Sequence, residues 1–376
     1  MDTFKTGMGT LEEIRQATRF HPKHEQISYS KRAMTLQGFL KKWQSRVKVQ
    51  LNKKGTRYEI TGDNRVPNAE FERVTKVLGV ISKPFLTQWA VNQTVEAYKK
   101  GEADPKRAAE NIANTSAEFG TLAHRIIEIL TTGFQTSDGK YVGVSLNTVL
   151  GFLSGFQFTP TGRMRSHSHL GLDSSIQGKD LKDFKDIFMA IYKQGTANEK
   201  LFEMRRVLIC WKEFIDDYGL EIVGTEVGVY CPYPEYIGDH WGFAGTIDAI
   251  AISKRPEDGI FLIDYKTGNS TYPEHGLQMT AYKRAFIYSG LAHLFDVVDR
   301  PIHSVVLRLD KKGNPPRAEI NVVQDDEVLH KALEGAIAIR NWQSYRSKWD
   351  RKGWGVFFDE ESHKIVLPTG RNNHEQ

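Results

Sequence analysis

Residues 245–268 read GTIDAIAISKRPEDGIFLIDYKTG, and this stretch decides the fold class. It holds two apolar runs joined by a polar turn, which is typical of two neighbouring strands. Asp248 lies early in the first run, and Asp264 lies at the end of the second, two residues before Lys266. Charged side chains are costly on strands that are otherwise apolar. Their positions therefore predict a functional site built onto a sheet.

Further strand-like and helix-like runs surround this stretch. LEIVGTEVGVYC (220–231) predicts a strand before it, and PEHGLQMTAYKRAFIYSG (273–290) predicts a helix after it. IHSVVLRLDK (302–311) predicts a fourth strand, and residues 325–349 a long final helix. This order indicates an α/β fold with a central mixed β-sheet flanked by helices.

The first half of the chain is predicted to be rich in α-helix. Residues 56–68 contain the turn signal GDN and predict a hairpin. Helices are expected over residues 71–101, broken near Pro84, and over 104–133 and 199–219. Residues 133–195 are rich in Gly, Ser, Thr and Asp and are interpreted as an insertion or lid.

Composition narrows the class of protein. The chain has 376 residues, of which 40% are hydrophobic and 26% charged, as expected of one large or two ordinary globular domains. No apolar run approaches the roughly 18 residues of a membrane span. The first residues lack the apolar core of a secretion signal, so a cytoplasmic location is expected. The two cysteines are too few for a disulfide scaffold or a four-cysteine zinc site.

Positive charge is concentrated near the start of the chain. Residues 21–57 hold ten Lys or Arg against one acid, a charge of +9, which leaves −4 for the rest of a chain whose net charge is +5. A basic segment beside a mildly acidic body indicates a polyanionic partner such as nucleic acid, although a solvated basic surface is the simpler alternative. The lysines expected to contact DNA are Lys41, Lys42, Lys53 and Lys54.

The acidic residues point to a metal site. Glu226 lies inside the strand that precedes residues 245–268, so antiparallel pairing of consecutive strands would bring it close to Asp248 and Asp264. Clustered carboxylates repel one another, and Mg²⁺ or Mn²⁺ would compensate them. Lys266 shares a strand face with Asp264 and would suit hydrolysis of a phosphodiester. A salt bridge between Asp264 and Lys266 is the simpler alternative.

The order of several motifs resembles the PD-(D/E)XK nuclease superfamily, in particular its RecB-type branch of bacterial, phage and mitochondrial-genome-maintenance exonucleases. The motifs are RVTKVL with KPFLTQWA (73–78 and 83–90), GTLAH (120–124), Glu226, GTIDAI (245–250), DYKTG (264–268) and QMTAY (278–282). The resemblance covers roughly residues 58–349. It implies a restriction-endonuclease-like core and excludes the branch's iron–sulfur subtype, because the four cysteines of that cluster are absent.

The resemblance also implies roles for single residues. Asp248, Asp264 and the Tyr265 carbonyl would bind the metal, and Lys266 would position or activate water. Glu226 would support this metal or a second one, and His124 would be a further ligand or contact the scissile phosphate. Gln278 and Tyr282 would fix Lys266 and the substrate backbone, and Thr75 is expected to contact DNA.

The expected organisation is a basic N-terminal region (1–57), a nuclease domain (58–350) with the insertion at about 133–195, and a C-terminal tail (351–376). Three motifs have alternative interpretations. The helix with Gln278 and Tyr282 could merely pack on the sheet, and His124 with Glu128 has a spacing that could bind zinc. The spacing of Trp342, Tyr345 and Trp349 favours a helix face packed on the core over stacking on bases.

The leading hypothesis is a metal-dependent DNA exonuclease that works from single-stranded or frayed ends, in recombination, repair or phage genome processing. Its partners would be DNA and single-strand-binding or recombination proteins, with no membrane. A non-cutting DNA-binding accessory protein and an endonuclease on the same core are the alternatives. The complete set Glu226, Asp248, Asp264 and Lys266 favours a protein that cuts.

Overall fold

The computed structural model describes residues 8–9, 29–81, 83–144, 197–233, 242–253, 255–297, 300–313 and 317–350, with short pieces between 146 and 187 and strands at 357–359 and 364–366. The insertion predicted for 133–195 and the tail predicted for 351–376 therefore lie largely outside the described residues.

The first part of the chain alternates strands and helices. Its elements are β1 (Met8–Gly9), α1 (Tyr29–Arg46), β2 (Lys48–Leu51), β3 (Arg57–Thr61), β4 (Ala69–Arg73), α2 (Val74–Leu78), α3 (Pro84–Lys99), a 3₁₀ turn (Pro105–Arg107), α4 (Ala108–Thr132), β5 (Phe134–Gln135), β6 (Tyr141–Val142), β7 (Phe156–Phe158) and β8 (Met164–Ser166). Gly133 ends α4 with a φ of 87°, a conformation that favours glycine.

The second part supplies the centre of the sheet. Its elements are α5 (Ala197–Asp217), β9 (Glu221–Pro232), β10 (Gly242–Ile252), a 3₁₀ turn (Pro256–Asp258), β11 (Ile260–Lys266), α6 (Pro273–Tyr288), α7 (Leu291–Leu294), β12 (Ile302–Leu309), β13 (Ala318–Val323), α8 (Glu327–Asp350), β14 (Phe357–Asp359) and β15 (Lys364–Val366). The strands and helices predicted for 220–349 are confirmed, with β13 in addition.

The main sheet is mixed and, within the described residues, has nine strands. The order is β1-β13-β12-β11-β10-β4-β3-β2, and β9 pairs with β10. Strands β9, β10 and β11 are consecutive and antiparallel, whereas β12 lies parallel to β11. The α/β fold with a central mixed sheet flanked by helices, as predicted, is confirmed.

Two apolar layers cover the two faces of the sheet. One layer joins side chains of α1, α2, α6, α7 and α8 to the sheet, and the other joins α4 and α5 to it. On β11, Leu262 belongs to the first layer and Ile263 to the second, because successive side chains of a strand point to opposite faces. By this alternation Asp264 faces the α6 side.

Strand β10 is served by two different strands on one of its edges. Phe243 and Ala244 pair in parallel with β4, whereas residues 249–252 pair with β11. Residues 245–248 pair with neither of these described strands, and β9 runs along the other edge. We call residues 245–248 the strand gap. The gap leaves backbone and side chains of β10 open to contacts from elsewhere in the fold.

The turn between β3 and β4 is tied to the end of α6. Asp63 accepts hydrogen bonds from Arg65 Nη2 at 2.6 Å and from the Tyr230 hydroxyl. Arg65 Nη1 also donates to the carbonyl of Tyr288 at 2.9 Å, close to where α6 ends. The N-terminal strands therefore help to fix the helix that carries Gln278 and Tyr282.

Two expectations from the sequence are corrected. Phe71–Arg73 was expected to be helical, but these residues complete β4, because Tyr58 and Phe71 pair across β3 and β4. Trp342 was expected to pack on the core, but it is 54% exposed, since the buried face of α8 is formed by Leu333, Ala336 and Ile337. The side chains of residues 345–350 lie outside those described.

Among the described helices, none is sufficiently long and apolar to span a membrane.

Candidate active site

Asp264 and Lys266 meet at the end of β11. Asp264 Oδ2 lies 2.5 Å from Lys266 Nζ, as expected for two side chains on the same strand face. The Asp264 side chain is only 2% exposed. Apart from Lys266, Oδ2 has no partner among the described residues, so this oxygen keeps acceptor capacity for a further ligand.

Asp248 lies in the strand gap, opposite the place where β11 leaves β10. One carboxylate oxygen, Oδ2, accepts a hydrogen bond of 2.7 Å from the backbone N–H of Tyr265. This bond replaces the ladder hydrogen bond that β10 no longer supplies. Asp248 therefore holds the two strands together at the point where they diverge, and its Oδ1 remains available for another partner.

His124 reaches the same point from α4. Its Nε2 lies 3.2 Å from the carbonyl of Tyr265, and its Nδ1 lies 3.6 Å from Asp248 Oδ1 and 4.0 Å from Glu226 Oε1. If Nε2–H donates to the carbonyl, Nδ1 carries a lone pair that faces two carboxylates. Three acceptors facing one another call for a cation between them.

Glu226 occupies an unusual backbone conformation in the middle of β9. Its φ is 48°, in the left-handed region that residues other than glycine rarely adopt. The strain of such a conformation is of the order of 1–3 kcal/mol. The conformation accompanies a side chain that lies close to His124 and Asp248 rather than in an apolar layer.

The acidic groups influence one another's ionisation. Burial and the charge of Asp248 raise the pKa of Glu226 to about 7. Burial also raises the pKa of Asp264, although the neighbouring Lys266 acts in the opposite direction. Burial lowers the pKa of Lys266, but the charges of Asp264 and Asp248 outweigh it, so that this pKa is raised overall. The site thus holds more negative charge than its own basic groups neutralise.

Gln278 and Tyr282 extend the network from Lys266 into α6. Lys266 Nζ donates to Gln278 Oε1 at 3.3 Å, and Gln278 Nε2 lies 2.8 Å from the Tyr282 hydroxyl. A Cβ on Gly245, in the strand gap, would lie only 2.5 Å from the Tyr282 ring. The glycine of GTIDAI is therefore needed for the close approach of Tyr282 to β10.

The glycine of GTLAH has a similar position on the other side of the sheet. A Cβ on Gly120 would lie 3.2 Å from Thr267 Oγ1, directly after Lys266. This close approach of α4 to the end of β11 brings His124, one helical turn further on, next to Tyr265.

Some residues at the site were not singled out from the sequence. The Tyr58 hydroxyl lies 2.9 Å from Thr246 Oγ1, in the strand gap. Burial raises the pKa of Tyr58, and the charge of Glu226 acts in the same direction, whereas that of Arg73 opposes it. Arg73 Nη1 donates to the carbonyl of Gly55 at 3.2 Å. These residues come from β3 and β4, and no short motif links them to β10. Pairing of β4 with β10 is the signal that reveals them.

Trp211 supports the site from α5. Its indole N–H donates to the Tyr265 hydroxyl at 3.1 Å, within the second apolar layer. The Tyr265 ring in turn meets the edge of the His124 ring, with a centroid distance of 5.7 Å. The Tyr265 side chain is therefore held by both helices of this face while its backbone takes part in the site.

The residues expected to contact DNA are exposed. Lys41 and Lys42 lie on α1, Lys53 and Lys54 in the β2–β3 turn, and Thr75 on α2. Among the described contacts of His124, Glu226 and Asp248, none is with these five residues. Glu128, the partner considered for zinc, instead contacts Arg125 Nη1 at 2.5 Å.

The donor set fits a hard divalent cation. One ligand atom from each of His124, Glu226 and Asp248 lies within 4.8 Å of the others. Asp264 is not a member of this group, since its carboxylate points to Lys266, but its Oδ2 has unused acceptor capacity. Carboxylate and carbonyl oxygens suit a hard divalent cation, and the imidazole of His124 offers one nitrogen ligand in addition.

Comparison with known proteins agrees with this geometry. The family model of the PD-(D/E)XK nuclease superfamily matches residues 97–349, which include His124, all three acids and Lys266. No curated protein matches the chain in the corresponding search. Nucleases of this superfamily use divalent metals, in keeping with the cluster of His124, Glu226 and Asp248. With two thirds of its length matched, the chain belongs to the PD-(D/E)XK nuclease superfamily.

Proposed function

We propose that the protein is a metal-dependent exodeoxyribonuclease that hydrolyses DNA from single-stranded or frayed ends. The observation that carries the proposal is the meeting of Asp248, Asp264 and Lys266 where β10 and β11 diverge, with His124 and Glu226 beside them. The RecB-type branch, with its phage and mitochondrial-genome-maintenance members, is the part of the superfamily that the motif order supports. Recombination, repair or phage genome processing would then be the setting.

Each residue of the site has a proposed role. Asp248, Asp264, the Tyr265 carbonyl and His124 would hold Mg²⁺ or Mn²⁺, and Glu226 would support this ion or a second one. Such an ion would lower the pKa of a bound water and compensate the negative charge on the phosphate.

Lys266 would orient the attacking water or stabilise a charged phosphate oxygen, since its ammonium group is held by Asp264 and Gln278. Gln278 would fix the Lys266 ammonium, and Tyr282 would fix the Gln278 amide.

Binding of the DNA backbone is assigned to the exposed basic surface. The phosphates would be contacted by Lys41, Lys42, Lys53 and Lys54. Thr75, on α2, would contact the same DNA strand. Replacing the four lysines by glutamine should weaken DNA binding and reduce the dependence of affinity on salt, because fewer counterions are released. An unchanged salt dependence would remove these lysines from the interface.

The two alternatives differ from the proposal in what they cut. A DNA-binding accessory protein would bind without cutting, and an endonuclease would cut circles. The intact set Glu226, Asp248, Asp264 and Lys266 favours cutting, because a non-cutting protein has no need of an acidic cluster that costs free energy to assemble.

The test uses end-labelled linear DNA and circular DNA, each single-stranded and double-stranded, with Mg²⁺ or Mn²⁺. Controls are EDTA and Lys266→Ala. Degradation of linear but not circular DNA, lost in both controls, is the expected result. Cutting of circles would replace the exonuclease by an endonuclease, and binding without cutting would favour the accessory protein.

A further inference from the structure

A second group of basic side chains lies at the same end of the sheet as the candidate active site. Strands β11 and β12 are parallel, and Lys266 is paired with Arg308. The loop that follows β12 therefore emerges beside the end of β11, where Lys266 lies. This loop contains Lys311 and Lys312.

Two lysines in this region share an aromatic neighbour. Lys311 Nζ lies 5.3 Å from the centre of the Phe119 ring, and Lys200 Nζ lies 5.5 Å from it. Phe119 precedes Gly120, whose backbone lies close to Thr267, the residue after Lys266. Lys200 is paired with Glu203 at 2.8 Å, whereas Lys311 forms no ion pair among the described residues. Lys311 is nevertheless largely buried, with 9% exposure.

An ammonium group that is buried and lacks a carboxylate partner is costly. Burial accordingly lowers the pKa of Lys311, and the charge of the nearby Glu203 offsets this only in part. The cost would be recovered by a bound anion, and the nearest anion in the reaction is a phosphate of the substrate backbone.

The same region exposes an aromatic ring. Phe202 on α5 is 54% exposed, and the guanidinium of Arg206 lies over it at 4.5 Å from the ring centre. Arg206 Nη1 also donates to the carbonyl of Lys312 at 3.1 Å, which fixes the guanidinium against the loop. An exposed ring beside basic groups is the arrangement on which unpaired bases stack. We call Lys200, Phe202, Arg206 and Lys311 the rim cluster.

We propose that the rim cluster is a nucleotide-binding subsite, which binds a backbone phosphate at Lys311 and stacks an unpaired base on Phe202. This inference rests on the proposed function, since it assigns the strand beside the cut to this surface. Stacking requires a base that is free of its complement. The subsite therefore selects single-stranded nucleic acid over an intact duplex.

The first experiment measures binding of a fluorescent oligothymidylate in EDTA, so that no cutting occurs. Lys311→Met keeps the length and apolar stem of the side chain and removes the charge. Lys312→Met is the matched control, because it removes the same charge from an exposed neighbour in the same loop. We expect Lys311→Met to raise Kd about tenfold and Lys312→Met to raise it less than threefold, in line with a specific phosphate contact. Equal effects of the two variants would overturn the phosphate site.

The second experiment tests stacking. Phe202→Ala should raise Kd for oligothymidylate about tenfold while changing the affinity for a blunt duplex less than twofold. Phe39→Ala, which removes a similarly exposed ring from α1, is the control and should change neither. Equal losses on single-stranded and duplex DNA would overturn the assignment of Phe202.

A third measurement separates this inference from the proposed hydrolysis. Inorganic phosphate should raise the unfolding temperature of the wild-type chain and not that of Lys311→Met. A chain that cuts DNA but shows no effect of Lys311 or Phe202 would overturn the subsite alone. Conversely, a chain that does not cut with Mg²⁺ or Mn²⁺, but binds phosphate and oligothymidylate through these residues, would refute the hydrolysis and support the subsite.

Discussion

Asp63 and Asp264 are two largely buried carboxylates with opposite surroundings. Asp63 accepts hydrogen bonds from the Arg65 side chain, from the Arg65 backbone N–H and from Tyr230, and these bonds, led by Arg65, lower its pKa. Asp264 has one ion pair with Lys266 and unused acceptor capacity, and burial raises its pKa. A carboxylate whose oxygens are saturated by hydrogen-bond donors stabilises the fold, whereas one with few donors can still bind a cation.

The sharpest test of this comparison exchanges each carboxylate for its amide. Asp264→Asn should reduce cleavage about a thousandfold or more, roughly 4 kcal/mol in the activation barrier, because the ligand for the cation is lost. The measurement is the rate of cleavage of linear DNA with Mn²⁺ in excess, with circular dichroism to show that the variant is folded. Asp63→Asn is the control and should keep the wild-type rate per folded molecule. A similar loss in both variants would contradict the separation of roles.

Binding of the metal itself gives the next largest effect. Mg²⁺ or Mn²⁺ should stabilise the wild-type chain by about 2.7 kcal/mol at a concentration one hundred times its Kd, because only the folded chain assembles the ligands. The unfolding temperature at increasing metal concentration measures this. Asp248→Asn should lose most of the shift and Asp63→Asn should keep it. If Asp248→Asn shifted as much as the wild type, the cluster with His124 and Glu226 would not be the metal site.

Asp63→Asn should in turn lower the free energy of unfolding by about 2 kcal/mol, a value reduced because Arg65 is half-exposed. Chemical denaturation in the absence of metal gives this number. Asp296→Asn is a suitable comparison, since the Asp296 carboxylate pairs with Arg300 but is 92% exposed, and its loss should cost a few tenths of a kcal/mol. Equal losses would show that the links of Asp63 to Arg65 and Tyr230 add nothing.

The smallest effect is the dependence of stability on pH. The pKa of Asp63 is lower in the folded chain than in the unfolded one, so the stability that it contributes is present above the unfolded pKa of about 3.9 and is lost as pH falls through the folded value. Between pH 5 and pH 3 the wild type should lose about 1 kcal/mol more than Asp63→Asn. Denaturation curves at these two values test this, and parallel losses would contradict it.

The centre of the site could be predicted from the sequence because it depends on short-range spacing. Asp264 and Lys266 are two apart on a strand, and Gln278 and Tyr282 are four apart on a helix, so their meeting follows from the period of each element. The geometry found agrees with both expectations. The roles assigned to these residues remain predictions until cleavage by the variants is measured.

Other features depend on contacts between distant parts of the chain. A positive φ usually occurs at glycine, so nothing in the sequence indicates that Glu226 adopts one. The contact of Tyr58 with Thr246 requires the pairing of β4 with β10. Strand β13 was missed, although Ala318, Ile320 and Val322 alternate with polar residues and pack in the second apolar layer. On α8 the buried position is occupied by Asn341, and Trp342, one residue later, is exposed.

The parallel pairing of β4 with β10 also bears on how the chain folds. Glu72 pairs with Phe243, and Arg73 with Ala244, so the contact closes a very long loop. Such non-local contacts slow folding, because the entropy of closing the loop is lost before the contact contributes. During synthesis β2, β3 and β4 leave the ribosome well before β10, so the edge of β4 stays unpaired by β10 until then. We therefore expect the strand gap, and with it the site, to be among the last parts of the molecule to form.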